Sequence, residues 1–284
     1  MKKVTTKVLE DMKRNGEPIS MITAYDYPTS KLVDEAGIDV ILVGDSLGMV
    51  VLGYESTIPV TINDMLHHTK AVSRGNDRAL LVTDLPFLTY HGSFDRTLDA
   101  CQRLMQEGGA TAVKLEGGAE HQETIRRLVS AGVPVMGHLG LTPQSVNQLG
   151  GYKVQGKDTQ TAAKMIEDAL ALQEAGVFAL VLECVPADLA EKLSAQLTIP
   201  TIGIGAGLHC DGQVLVFHDI VQYQSSVNPK FVKQYAQVGN QIQDAVSEYI
   251  QEVKTRQFPT SEHSFSINKD VITQLYGGKG ANEQ

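Results

Sequence analysis

Cysteine is scarce in this sequence: only Cys101, Cys184 and Cys210 occur among 284 residues, an odd number with no paired spacing. That pattern fits neither a disulfide framework nor a cysteine-based zinc site, and it suits a reducing compartment. Positive charge is also short, since 24 Lys and Arg against 33 Asp and Glu leave a net charge of −9. A chain of that sign argues against nucleic acid or an anionic membrane as partner. Met1 to Lys7 lacks the apolar core of a signal peptide, and no apolar run reaches the ~20 residues of a membrane-spanning helix. A cytoplasmic location is the expectation. An anionic substrate remains compatible, provided that a metal or a lysine supplies local positive charge.

What the chain has instead is a repeat of apolar runs that end on acids. Val40-Ile-Leu-Val-Gly-Asp45 is a β-branched and aliphatic strand broken by Gly44, and Asp45 and Ser46 follow as polar side chains. The same arrangement recurs in Leu80-Leu-Val-Thr-Asp84, Ala112-Val-Lys-Leu-Glu116 and Ala179-Leu-Val-Leu-Glu183. Further strands are expected at 19–24, 133–137 and 201–204, and helices at 4–15, 25–36, 61–73, 94–107, 122–131, 161–175 and 187–197. Glu35-Ala-Gly-Ile, Ser130-Ala-Gly-Val and Glu174-Ala-Gly-Val each read as a helix end, a glycine cap and an immediate strand start. Thr61-Ile-Asn-Asp64 resembles a capping box with Asp in place of Glu.

Alternating strands and helices predict a parallel α/β fold, and the length suits a single-domain (β/α)8 TIM barrel of roughly 250 residues. An open doubly wound sheet is the alternative. Seven strands are clear; the eighth falls within 213–217, where a helical turn fits equally well. The polar stretch 138–158 reads either as a lid over the site or as a solvated excursion. The expected organisation is a catalytic barrel over residues 1–265, including an N-terminal helix and a C-terminal helix over 229–254, followed by a poorly ordered tail at 266–284.

In a parallel barrel the strand ends share one face, so Asp45, Asp84, Glu116 and Glu183 should converge in one mouth. Three carboxylates meeting without histidine or thiolate company suit a hard cation, Mg²⁺ before others. The competing reading is that such acids cap helices or pair with surface lysines. Lys114 shares a strand face with Glu116. It can neutralise the acids, clamp a substrate carboxylate, or, least in keeping with its acidic neighbours, form a Schiff base. His138, at the end of the fifth strand, reads as a substrate contact or as a packed histidine. His67 and His68 read as surface residues of a helix. Cys184 should point away from the mouth as packing. Ile202-Gly-Ile-Gly-Ala-Gly207 reads as a phosphate loop or as a tight turn with close backbone approach.

Five strings carry a more specific resemblance: Ile22-Thr-Ala-Tyr-Asp26, Val43-Gly-Asp-Ser-Leu-Gly48, His138-Leu-Gly-Leu-Thr-Pro-Gln-Ser145, Gly150-Gly-Tyr-Lys-Val-Gln-Gly156 and Leu182-Glu-Cys-Val-Pro186. Together with Phe258-Pro-Thr-Ser-Glu-His-Ser-Phe265, they resemble the ketopantoate hydroxymethyltransferase family over about residues 21–265. The resemblance implies a (β/α)8 barrel that binds one Mg²⁺ per subunit. It also implies transfer of a hydroxymethyl group from 5,10-methylenetetrahydrofolate, a co-substrate, to 3-methyl-2-oxobutanoate. The product would be 2-dehydropantoate, on the route to pantothenate and coenzyme A. Carried over residue by residue, it implies that Asp45 and Asp84 hold the metal with Glu116 at or just outside its ligand set. It further implies that Ser46 and Lys114 bind the keto acid alongside Asp45 and Asp84, and that Glu183 is the general base. A homodecamer of two pentameric rings is implied as well. The chain departs from the family in Val221–Ser226, which lacks an expected glycine, and in its longer tail. The rival readings are a Mg²⁺-dependent 2-oxo acid lyase or mutase of the isocitrate lyase and phosphoenolpyruvate mutase type, and a non-catalytic keto-acid-binding barrel.

Overall fold

The computed structural model describes residues 2–223 and 229–276. Its eight parallel strands close in sequence order: β1 (Ile19–Thr23), β2 (Val40–Val43), β3 (Leu80–Asp84), β4 (Ala112–Lys114), β5 (Val135–Gly140), β6 (Ala179–Glu183), β7 (Thr201–Ile204) and β8 (Gly212–Leu215). Pairing of β1 with β8 closes the ring and rules out the open sheet. The ambiguous segment proves to be both things at once: β8 is followed directly by a helical turn, Phe217–Ile220.

The helices expected between strands form close to their expected limits. Helix α1 (Thr6–Asn15) precedes the barrel; α2 (Tyr27–Glu35) follows β1; α3 (Leu47–Val50) is a short turn after β2, and α4 (Ile62–Gly75) leads to β3. Next come α5 (Phe94–Gln102), α6 (Gln122–Ser130), the short α7 (Val146–Leu149), α8 (Thr159–Ala175) and α9 (Ala187–Gln196). Helix α5 runs on through a π turn at Arg103–Glu107. Both hydrogen bonds of the expected capping box at Thr61 and Asp64 are present at the start of α4. Gly37, Gly132 and Gly176 each lie at positive φ, the left-handed geometry that ends a helix and turns straight into a strand.

Strand alternation divides the apolar side chains into two layers. Ile41, Val43, Leu81, Val113, Leu115, Leu180 and Leu182 face outward into the helical shell. Met21, Val40, Leu42, Leu80, Val82, Ala112, Met136, Ala179, Val181, Ile202 and Val214 fill the barrel interior. Val4 and Leu9, from the α1 region, pack into that interior cluster and close its N-terminal end. Chemistry therefore has only the C-terminal mouth to occupy. The register matters there, because Asp84 of β3 lies directly beside Lys114 of β4.

Gly140 closes β5 opposite Glu183 of β6. Its φ is +95°, and a Cβ there would sit 2.2 Å from the Glu183 carbonyl oxygen. We therefore expect Gly140→Ala to cost roughly 1–3 kcal/mol of stability, the usual range for a non-glycine residue held in such a conformation. Thermal melting checks this. Turnover should fall too, because the clash displaces the strand end that carries Glu183.

Two expectations about the C-terminal part are corrected. Pro229 does not begin a helix; Val232 N–H bonds back to the Pro229 carbonyl in a single turn. Phe231 then packs on the interior cluster and against Gly205, which holds the chain near the barrel rather than in a helix. The helix α10 (Phe217–Ile220) lies just before this stretch, and α11 begins only at Val238 and runs to Thr255. The expected disorder of 266–284 does not extend to Lys269–Tyr276, which forms helix α12 with its apolar residues spaced along it. Residues 277–284, and 224–226 of the glycine-poor stretch, lie outside the described residues. The chain divides into two compact units, Met1–Ala236 and Gln237–Gln284. No helix among the described residues is long and apolar enough to cross a membrane.

Candidate active site

Interior-facing alternation carries Leu80 and Val82 on to Asp84, Ala112 on to Lys114 and Glu116, Met136 on to His138, and Ala179 and Val181 on to Glu183. All the strand-end polar groups of β3 to β6 thus meet in the mouth. Asp45 joins them by a different route. Gly44 holds the interior position after β2, where a Cβ would lie 2.9 Å from Ser46 Oγ and 3.5 Å from Asp84 Oδ2. A glycine there keeps that space open for the Ser46 and Asp84 side chains, and the chain leaves strand geometry at Asp45, which turns inward. The Asp45 backbone N–H then donates to Asp84 Oδ2 at 3.1 Å.

Asp45, Asp84, Lys114, Glu116 and His138 are each at most 4% exposed. The Glu183 side chain is 16% exposed and forms the wetter edge. Lys114 Nζ lies 2.9 Å from Asp84 Oδ1 and donates to His138 Nδ1 at 3.2 Å. Burial alone would lower the Lys114 ammonium, but the Asp84, Glu116 and Asp45 carboxylates outweigh it and leave it raised. A charged Lys114 can only donate, so His138 Nδ1 accepts and its proton sits on Nε2. Burial first, and the Lys114 charge second, hold His138 below the ordinary histidine range, so the ring is neutral. Its Nε2 is 3.3 Å from Glu183 Oε2 but out of line for a hydrogen bond.

Four acids thus face one ammonium. Burial, then the Asp84 charge, push the Asp45 carboxyl up to about 7. Burial, then Asp45, raise Glu116 well above the usual carboxylate range. His138 Nε2 is buried without an aligned hydrogen-bond partner, whereas Asp84 Oδ1 is met by the Lys114 ammonium. A native interior seldom leaves a group like that nitrogen unmatched unless a ligand meets it. Among the described residues no three His, Cys, Asp or Glu side chains form a preformed metal cluster. Mg²⁺ needs none, since one or two carboxylates with substrate oxygens and water complete its shell. Asp45 and Asp84 fit that requirement.

Several residues in the mouth were not foreseen. Tyr25, just past β1, places its hydroxyl 2.8 Å from Ser46 Oγ. Its position at a strand end was a readable signal. Tyr90 and Gln144 were not legible: both come from loops, and both are buried. Tyr90 Oη accepts from the Glu116 backbone N–H at 3.3 Å and donates to Gln144 Oε1 at 2.7 Å.

Three other placements differ from expectation. His68 is half-buried, its Nδ1 2.6 Å from the Tyr25 carbonyl oxygen, while His67 is exposed. Cys184 is half-buried with a φ of +49°, so its backbone has left strand geometry and alternation no longer orients it. In the 202–207 segment, a Cβ at Gly205 would meet Phe231 at 2.9 Å and one at Gly207 would meet Ala187 at 2.6 Å. Close backbone approach explains those two glycines.

A closed parallel barrel with buried acids, a lysine and a histidine gathered at its C-terminal mouth defines a (β/α)8 enzyme. Solved structures agree on the fold. Phosphonopyruvate hydrolase in complex with oxalate and Mg²⁺ superposes with a TM-score of 0.58 at 14% identity, over 96% of this chain and 95% of that one. The 2,3-dimethylmalate lyase, a PEP mutase/isocitrate lyase superfamily member, gives 0.57 at 13%, over 96% and 92%. Sequence is more specific. The pattern of the ketopantoate hydroxymethyltransferase family matches residues 3–261. A 3-methyl-2-oxobutanoate hydroxymethyltransferase of Bacillus cereus (strain ATCC 14579) is 60% identical over 94% of this chain and 96% of its own. One from Carboxydothermus hydrogenoformans is 56% identical over 97% and 100%. The chain belongs to the ketopantoate hydroxymethyltransferase family.

Proposed function

We propose that the protein transfers a hydroxymethyl group from 5,10-methylenetetrahydrofolate to 3-methyl-2-oxobutanoate, giving 2-dehydropantoate and tetrahydrofolate for pantothenate and coenzyme A synthesis. The observation that carries this reading is the buried mouth, with its excess of carboxylates around a single ammonium. Asp45 and Asp84 would hold one Mg²⁺, with Glu116 at or just outside the ligand set. When bound, the ion supplies a Lewis acid for the keto oxygen of the substrate.

The remaining work falls to the side chains. Lys114 and Ser46 bind the keto-acid carboxylate and carbonyl, with Ser46 steadied by Tyr25. The carbon beside the ketone must lose a proton before it can attack the one-carbon unit. Glu183 takes that proton, as the acid least engaged by neighbours. The His138 Nε2 lies 3.3 Å from Glu183 Oε2 without an aligned hydrogen bond, so it does not tie up the carboxylate. A buried mouth strengthens each of these interactions by excluding water. The 138–158 segment covers it as a lid. We take residues 1–265 as the catalytic domain and 266–284 as a tail, in a cytoplasmic homodecamer acting on small molecules alone.

The direct test is purified protein with 3-methyl-2-oxobutanoate, methylenetetrahydrofolate and Mg²⁺, with product followed by mass. Consumption of the folate separates this reaction from a lyase or mutase acting through a similar enolate. Activity should vanish with a chelator and return with Mg²⁺. Asp45→Ala and Asp84→Ala should each weaken metal-dependent keto-acid binding. Full turnover in metal-free buffer would overturn the metal assignment.

A further inference from the structure

Gln144 stands where four loops meet, and every polar atom of its side chain, with its backbone N–H, engages a buried partner. Its Nε2 donates to Asp45 Oδ2 at 2.8 Å and to the Leu85 carbonyl at 2.9 Å. Its Oε1 accepts from Tyr90, and its backbone N–H donates to Glu116 Oε2 at 3.0 Å. The residue is 3% exposed. It sits in a single helical turn, Pro143–Ser145, of the stretch after β5. One residue of the covering loop thus grips two of the three acids that Lys114 does not pair with, Asp45 and Glu116.

The direction of this chain of hydrogen bonds is determined at its Leu85 end. A primary amide has an oxygen and a nitrogen of nearly equal shape, so size alone cannot say which faces Asp45. The Tyr90 oxygen accepts from the Glu116 backbone N–H, and its own proton goes onward to Gln144 Oε1. At the other end the Leu85 carbonyl can only accept. The amide nitrogen is thereby directed at Asp45 Oδ2, and Oδ1 is left for a cation.

We infer that Gln144 is a positioning residue. It orients the Asp45 carboxylate for the cation and ties the covering loop to the occupied site, with the Leu85 carbonyl setting the sense of its amide and Tyr90 holding the amide oxygen. This rests on the cation reading proposed above. A group that orients a metal-binding side chain in this way typically changes metal affinity by about 10–100-fold when removed.

The test is Mn²⁺ binding to the full-length protein, read by electron paramagnetic resonance of free Mn²⁺ and by calorimetry, without substrates. Gln144→Met keeps the length and bulk while removing every side-chain hydrogen bond. We expect its Mn²⁺ affinity to fall about tenfold or more, with circular dichroism unchanged. Tyr90→Phe, which removes the hydrogen bond that holds the amide oxygen, should weaken binding in the same direction by less. Gln148→Ala, on the exposed side of the same loop, should bind as the parent does. A purely structural role for Gln144 would lower the melting temperature but leave the affinity of the folded protein intact, and that result would overturn the inference. If Gln144→Met does not fold, parent-like affinity in Tyr90→Phe overturns it, and weakened affinity supports it. No Mn²⁺ binding by the parent would overturn the cation reading, and the Gln144 role with it.

Discussion

Glu183→Gln should retain cation and keto-acid binding yet lose deuterium exchange beside the ketone by about 10²-fold or more, the usual scale for removal of a general base. The substitution keeps the size and hydrogen-bonding capacity of the side chain and removes only its ability to take a proton. Its neighbours make the outcome readable. Asp84 is paired with Lys114, Asp45 is held by Gln144, and Glu116 is engaged by the Gln144 backbone. Glu183, more exposed than these three, has among the described residues no aligned side-chain hydrogen bond, its titratable neighbour being the misaligned His138 Nε2. Exchange in heavy water with Mg²⁺ and 3-methyl-2-oxobutanoate needs no folate, so it isolates proton removal from one-carbon transfer. Normal exchange with abolished product would move Glu183 to the folate step. Normal performance of both would make it a structural acid.

Lys114→Ala should be the most damaging change to the folded protein itself. The ammonium is wholly buried, 2.9 Å from Asp84 Oδ1, and it supplies the hydrogen bond that orients His138. Taking away one partner of a buried ion pair leaves an uncompensated charge, which typically costs about 3–5 kcal/mol. Here the cost is shared among carboxylates that already crowd one another, as the raised Asp45 and Glu116 show. Thermal or denaturant unfolding in a chelator measures this part. The substrate-binding role adds a second signature: KM for the keto acid should rise while KM for the folate stays nearly unchanged. Loss of stability with both constants unchanged would assign Lys114 to the ion pair alone.

Of the three expectations set out for Lys114 from the chain, neutraliser and clamp are therefore not exclusive. The register that sets it beside Asp84 makes the first a structural fact, and the substrate assay addresses the second. The eighth strand shows a similar limit. A four-residue apolar stretch has too little periodicity to separate strand from turn. Its pairing with β1 and β7 decides the matter, and that pairing exists only when the ring closes.

The amino-acid sequence by itself determined the barrel and most of its mouth. Glycine-capped helix ends mark where strands begin, and a period of two then puts Asp84, Lys114, Glu116, His138 and Glu183 on the interior side. Local geometry suffices for those, because alternation is a property of each strand alone. Tertiary structure decided what alternation could not reach. Asp45 lies past the strand on the outward parity and enters the mouth only because the chain turns after β2 ends at Val43. Gln144, 99 residues away in the chain, meets it across the mouth. Which acid pairs with Lys114 and which with an amide follows from the distances between closed loops, and no spacing along one strand encodes those.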